Sequence, residues 1–198
     1  MAKPASANDL QYAFSLPATA DAIGSSSSVA GPHSGRILRH PRIVLIYWGS
    51  AWANTDAEPS QADFTAAIDE LLRGPWSIQL AKYRGIGPIS LELVAQVPQL
   101  DPPANFSNPW VRTFLDGLIA RGAVPPPSKS ADRIYCVMMP PGCSSVDNPE
   151  SCGQHQHYDR ADGTRVYWVW IASDGSLSGI PTIMSEELME TCSCPDRN

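Results

Sequence analysis

The apolar positions of this chain form two kinds of block, one with the character of strands and one with helical spacing. Residues 42–48, Arg-Ile-Val-Leu-Ile-Tyr-Trp, are apolar almost throughout. A strand that is apolar on both faces is covered on both, so this block predicts a central strand. Residues 133–139 and 165–171 have the same character, the second enriched in aromatics. Residues 89–97 alternate at their start, which predicts a strand with one exposed face. Helical spacing joins Phe64, Ala67, Ile68, Leu71 and Leu72, behind Ser60 and Asp63 in a variant of the capping box and ahead of Gly74-Pro75. A second short helix is predicted over 76–83. Trp110, Val111, Phe114, Leu115, Leu118 and Ile119 mark another, capped by Ser107 or Asn108 with Pro109 in its first turn. The last predicted helix covers 181–191, with Pro181 at its first position and Ile183, Met184 and Leu188 as its apolar stripe.

The predicted order is β, α, α, β, α, β, loop, β, α, which describes an α/β fold with helices packed on a mixed sheet. The 198 residues suit one domain, placed over 42–198. Residues 1–41 are poorly patterned, with a serine run at 25–28, Gly31-Pro32, and a possible short edge strand at 10–14. His33 and His40 in this segment read as surface histidines.

Charge and cysteine usage narrow the class. The net charge is −6 with no basic block, so neither nucleic acid nor an anionic membrane surface is an expected partner. No apolar run approaches the roughly 18 residues of a membrane span. The first residues lack the apolar core of a signal peptide, so either the protein is cytosolic or a signal was removed. All five cysteines, Cys136, Cys143, Cys152, Cys192 and Cys194, lie in the last third. Cys143 and Cys152 bracket a polar loop that a disulfide would pin, and the 19 prolines also favour an exported, extracellular protein. Cys136 reads as a buried thiol, and the odd count leaves one thiol over.

Three groups carry candidate chemistry. Glu186, Glu187 and Glu190 fall within roughly 100° of one another on the last helix, with no Lys or Arg between Arg165 and Arg197 to answer them. They read either as a solvated acidic face or as a carboxylate cluster for metal or acid–base work. His155 and His157 point to one face if that stretch is extended, which makes them a usable metal pair or simply two loop histidines. Asp159 and Asp162 read as turn formers. A zinc hydrolase needs three protein ligands, an open position and a carboxylate base. Here His155, His157 and a helix glutamate would be ligands, with Glu187 as base; a site of carboxylates alone would suit calcium. No Gly-x-Ser-x-Gly is present, and a thiol dyad of Cys136 or Cys152 with His155 is the remaining nucleophilic option. A glycosidase would pair Glu187 with Asp56 or Glu92. A non-enzymatic extracellular protein would use Trp48, Trp52, Trp168 and Trp170 against glycans or a protein partner; Trp168 and Trp170 share a face by alternation, and the alternative is that this face is simply core.

Several stretches together resemble a known family. Ile43-Val-Leu-Ile-Tyr-Trp-Gly49 is similar to the opening of the phosphate-induced, EXORDIUM-like secreted proteins. Cys152-Gly-Gln-His155 resembles their Cys-Gly-x-His, and an aromatic strand like 166–170 follows it. Related microbial secreted proteins carry a Ser-His-Glu-Leu-x-Glu helix, whose frame Ser185-Glu-Glu-Leu-Met-Glu190 resembles, ahead of Cys194-Pro-Asp196. The resemblance implies a zincin-like fold and a metal-dependent, peptidase-like hydrolase acting on peptide or cell-wall and glycan material. It implies Glu187 as base and Glu190 as ligand, with zinc the first metal and calcium the alternative. Glu186 stands where the first histidine ligand would be; a carboxylate there can still bind metal, and the third ligand would come from His155, His157 or a segment past Asn198. The resemblance therefore also allows a degenerate, non-catalytic member that binds glycan or protein.

Overall fold

The computed structural model describes residues 36–128, 132–172 and 175–196. The elements are β1 (Arg42–Trp48), α1 (Gln61–Arg73), α2 (Pro75–Arg84), β2 (Ser90–Val97), β3 (Asn105–Phe106), α3 (Asn108–Ala120), β4 (Arg133–Met139), β5 (Ser144–Ser145), β6 (Gly153–Asp159), β7 (Arg165–Ala172) and α4 (Gly179–Ser193). A 3-10 turn, Ser50–Ala53, follows β1. Five strands form one mixed sheet in the order β2-β1-β4-β7-β6, and β3 pairs with β5 apart from it. All neighbours in the large sheet are parallel except β6, which runs antiparallel to β7 along one edge.

The uninterrupted apolar blocks are explained by this order. β1, β4 and β7 are the interior strands, and each buries both faces. Ile43, Leu45 and Tyr47 join Cys136, Met138, Val169 and Ile171 on the side covered by α1, α2 and α4. Val44, Ile46 and Trp48 join Tyr135, Val137, Trp168 and Trp170 on the side covered by α3. Trp168 and Trp170 do share a face, but both are fully buried, and Trp48 and Trp52 are also buried. The shared face of Trp168 and Trp170 is therefore core, and the burial of all four indoles counts against a glycan platform.

Helix α1 starts where its sequence signal places it, whereas α4 starts at Gly179, two residues before the Pro181 expected at its first position. Ser60 accepts a bond from the Asp63 N–H, while the Asp63 carboxylate accepts from the Ser60 N–H, which closes the capping box. Helix α4 buries Ile180, Met184, Leu188 and Cys192, a four-residue repeat that keeps one stripe against the sheet. Each such side chain contributes about 1.5–3 kcal/mol when fully buried.

Four expectations change. The stretch around His155 and His157, which lies in the loop of the predicted order with an extended form as its alternative, is the edge strand β6; an edge strand has one neighbour, so Gln154, His155, Gln156 and His157 stay only partly buried and no apolar run betrays it. The alternation in β2 is broken between the partners of Ile43 and Val44, where Glu92 is the extra residue. That bulge turns Leu91 toward the α1 side and Leu93, Ala95 and Val97 toward the α3 side. The packed domain also reaches back past residue 42: Leu38 is fully buried and its N–H donates to the Cys192 carbonyl at 3.0 Å. Finally, all five cysteines are free thiols here, so the bridge expected between Cys143 and Cys152 is not formed. The expected strand at 10–14 and His33 lie outside the described residues. Among the described residues no helix is long and apolar enough to cross a membrane.

Candidate functional site

β6 and α4 converge at the sheet edge, and a glycine sets how closely. β6 alternates, so Gly153, His155 and His157 face α4 while Gln154, Gln156 and Tyr158 face the α3 side. A Cβ on Gly153 would stand 2.5 Å from Ile183 Cγ2, 3.0 Å from Glu187 Cγ and 3.1 Å from Glu187 Oε1. Only a bare Cα lets the helix approach this far. One strand repeat on, the same approach brings Glu187 to His155.

The resulting cluster joins three sequence candidates. His155 Nδ1 lies 2.9 Å from Glu187 Oε2 and 3.5 Å from Glu190 Oε2. A carboxylate only accepts, so Nδ1 carries the proton and donates it to Glu187. In the neutral imidazole this leaves Nε2 with the free lone pair. The side chains of His155 and Glu187 are 14% and 17% exposed, whereas Glu190 is 60% exposed, so the pair is sheltered and its third member opens to solvent. The Thr191 hydroxyl donates to the Glu187 carbonyl at 2.6 Å, tying down the turn that carries both glutamates. The imidazole of β6 thus provides the answering group that the sequence near the acidic helix lacks.

The other candidates are placed elsewhere. Glu186 is exposed. His157 is one strand repeat, about 7 Å, further along β6 and beside the Tyr167 ring. Neither joins the His155 cluster. Asp159 pairs with Arg165 through two bonds of 2.7 and 2.8 Å, and this contact lowers its pKa. Asp162 accepts from the Thr164 N–H in the β6–β7 turn, as its turn reading expected.

Two further pairings are ruled out by position. Cys136 and His155 both lie opposite Val169, so β7 stands between them and they are about 10 Å apart. Burial also drives the Cys136 thiol well above its usual range, against a thiolate. Glu92 is on β2 and bound to Arg133, at the far edge of the sheet, four strand spacings or about 19 Å from β6. Glycosidase carboxylates stand about 5–9.5 Å apart, so Glu92 is no partner for Glu187. The Ser185 hydroxyl donates to the Thr182 carbonyl at 2.7 Å within its own helix.

A metal was expected here, and the donors can be compared with what one requires. Two ligands about 2.05 Å from a tetrahedral zinc lie about 3.3 Å apart, close to the separation of His155 from Glu190. A third ligand is lacking: among the described residues no group of three or more His, Cys, Asp or Glu is arranged to hold a metal ion. The site as it stands fits a carboxylate–imidazole pair better than a zinc centre.

Gly153 and the Asn108 network are parts of this candidate site that the sequence reading did not single out. Asn108 Oδ1 accepts from Trp170 Nε1 and its Nδ2 donates to Gln154 Oε1, both at 3.1 Å. This fixes the outer face of β6, whose inner face carries His155. Gly153 had a signal in the Cys-Gly-Gln-His string; Asn108 had only its cap position. The chain matches no protein-family model, no curated protein and no solved structure in the comparisons made.

Proposed function

We propose that the protein is a hydrolase of the zincin-like kind, acting on peptide bonds, with the His155–Glu187 pair at its centre. The observation that supports this reading is the 2.9 Å contact between an edge-strand imidazole and a helix carboxylate, with the more exposed Glu190 beside it. Glu187 holds the Nδ1 proton and fixes the tautomer. Nε2 then takes the proton from an attacking water, and the imidazolium formed is stabilised by Glu187 and Glu190. Such a base contributes about 10²–10⁴-fold to rate. Glu187, read from the helix frame as the base itself, becomes the group that orients the base. Zinc, or calcium in its place, would meet only His155 and Glu190 with Glu187 beside them, and no step here depends on it.

A second reading, a non-catalytic extracellular binding member, is favoured by one observation: Glu186, at the first ligand position of the helix frame, is exposed and apart from the cluster. Turnover of a peptide and ester panel, with and without added zinc, separates the two. His155→Gln is expected to lower kcat by about 100-fold or more while the fold is kept. No turnover under any of these conditions, or full turnover by His155→Gln, overturns the hydrolase reading. Metal analysis then reports on zinc: below about a tenth of an equivalent bound, with no rescue on addition, the site works without it.

A further inference from the structure

The two edges of the large sheet are finished differently. Proteins blunt an exposed edge with charge, proline, a bulge or a short strand, because its unpaired N–H and C=O groups otherwise recruit another chain. At β6 the Ser151 hydroxyl engages both the N–H and the C=O of Gly153, and Asp159 closes the other end in its pair with Arg165. At β2 the bulge at Glu92 and the following Pro98 stand at the two ends. The run between them, Leu93-Val-Ala-Gln-Val97, holds no charge and no proline. Among the described residues no strand pairs with it on its outer side.

The bonds to β1 fix which backbone groups face out. The Val97 carbonyl accepts from the Gly49 N–H at 3.1 Å, so Val97 points its peptide groups at β1. Direction alternates along a strand, so Leu93 and Ala95 do the same, while Val94 and Gln96 turn their N–H and C=O outward. The side chains of Leu93, Ala95 and Val97 pack on the α3 side and are only partly buried. Val94 and Gln96 are on the opposite face and exposed, Val94 at 37%. An apolar row that is half covered at a sheet edge gains burial when a further strand is added beside it.

The composition of this run matches a copy of itself. Laid antiparallel about a two-fold axis at Ala95, it sets Leu93 opposite the partner's Val97 and Ala95 opposite the partner's Ala95. The two alanines form a non-hydrogen-bonded pair, where Cα atoms come to about 4.5 Å and small side chains fit. Val94 and the partner's Gln96 meet with their outward peptide groups and exchange two bonds, and the symmetric pair exchanges two more. On the α3 side apolar residues face apolar residues and no like charges meet. The pairing stops at Pro98, which has no N–H to give.

We propose that the protein forms a two-fold dimer through β2, joining two five-stranded sheets into one. The His155 clusters lie at the far edges, four strand spacings or about 19 Å from β2, and the dimer leaves both uncovered. Sedimentation velocity of the full chain is the test, with a Kd expected between about 10 μM and 1 mM for so small an interface. Val94→Lys with Gln96→Lys sets like charges opposite each other and is expected to give monomer. Val94→Lys with Gln96→Glu sets opposite charges there and is expected to dimerise. Circular dichroism should show the fold kept in both, since both side chains are exposed. In the wild-type chain at about ten times the Kd, amide hydrogen exchange at Val94 and Gln96 should slow about five-fold, by mass action. Leu93, Ala95 and Val97, already bonded to β1, should change far less. If either variant fails to fold, this exchange measurement decides alone. A monomer at every concentration up to about 1 mM overturns the proposal. It is equally overturned by association that V94K/Q96K leaves intact, by species larger than a dimer, or by protection centred on a segment other than Val94 and Gln96.

Discussion

Gly153→Ala tests the central contact with a single methyl group. The added Cβ would lie 2.5 Å from Ile183 Cγ2. Carbon atoms settle at about 3.5–4.0 Å, so helix and strand must separate by about 1.0–1.5 Å unless Ile183 changes rotamer. A β-branched residue in a helix has one strongly preferred χ1, so that escape is costly. A retreat of this size would lengthen the 2.9 Å bond between His155 and Glu187 to about 4 Å, beyond hydrogen-bond range. Overpacking of this kind costs about 1–3 kcal/mol. The gain from alanine over glycine in a strand is about 0.5–1 kcal/mol and offsets part of it. The net expectation is a loss of about 1–2 kcal/mol, or about 2–8 °C in Tm for a chain of this length. Urea unfolding should show a lower midpoint with an unchanged slope. Ile183→Ala should cost less in the Gly153→Ala background than alone, with a coupling of about 1 kcal/mol. Turnover, where present, should fall together with loss of the Nδ1 proton signal in nitrogen NMR of His155. A neutral Gly153→Ala with no coupling to Ile183 would refute the close-approach argument and leave the His155–Glu187 contact without its structural cause.

Three other outcomes are expected. Asn108→Ala removes both bonds made by the side chain and leaves the Trp170 N–H buried without a partner; the loss should be about 2–3 kcal/mol by urea unfolding, and a loss below about 0.5 would contradict the network. Ser60→Ala opens the capping box of α1 and should cost about 1 kcal/mol, with Ser60→Gly closer to wild type. Glu92 is bound by both guanidinium donors of Arg133 at 2.6 and 2.8 Å, and that contact holds its carboxyl below the usual range. Its contribution is therefore complete above the unfolded-state pKa near ~4.3 and is lost as pH falls through the lower folded-state value. Glu92→Gln should cost about 1–2 kcal/mol at neutral pH and progressively less as pH falls below ~4.3, and a cost independent of pH would show that the ion pair is not its source.

The interior of the fold was legible because burial on two faces leaves an apolar run of strand length, rich in β-branched and aromatic residues. Strands β1 and β4 begin and end where the apolar blocks do. Helix α1 starts behind the cap that its sequence contains. The edges of the sheet were less legible for the same physical reason. An edge strand has one neighbour and one solvated flank, so β6 can be Gly-Gln-His-Gln-His-Tyr-Asp and still be a strand. At the other edge, β2 changes face at Glu92, and a bulge leaves no trace in hydropathy. For the tryptophans, alternation gives the shared face of Trp168 and Trp170 and leaves core and platform both open; α3 decides for core by covering that face.

The candidate site divides along the same line. Helical spacing alone put Glu186, Glu187 and Glu190 on one broad face, and spacing has no means of choosing among them. The choice is made by β6, an element without an apolar pattern. Its pairing with β7 sets His155 opposite Val169 and Gly153 opposite Ile171, which fixes where the imidazole meets the helix. From there the helix repeat does the selecting: Glu187 and Glu190 are one turn apart and reach Nδ1, while Glu186 is rotated about 100° from Glu187 and stays in solvent. A one-residue slip of β6 on β7 would turn Gln154 and Gln156 toward the helix and dissolve the cluster. The bond from Trp170 to Asn108, and from Asn108 to Gln154, opposes that slip from the other face of the strand. The chemistry at His155 thus depends on a register held by residues that never touch it, and this is why the site could be listed residue by residue from the sequence but not assembled from it.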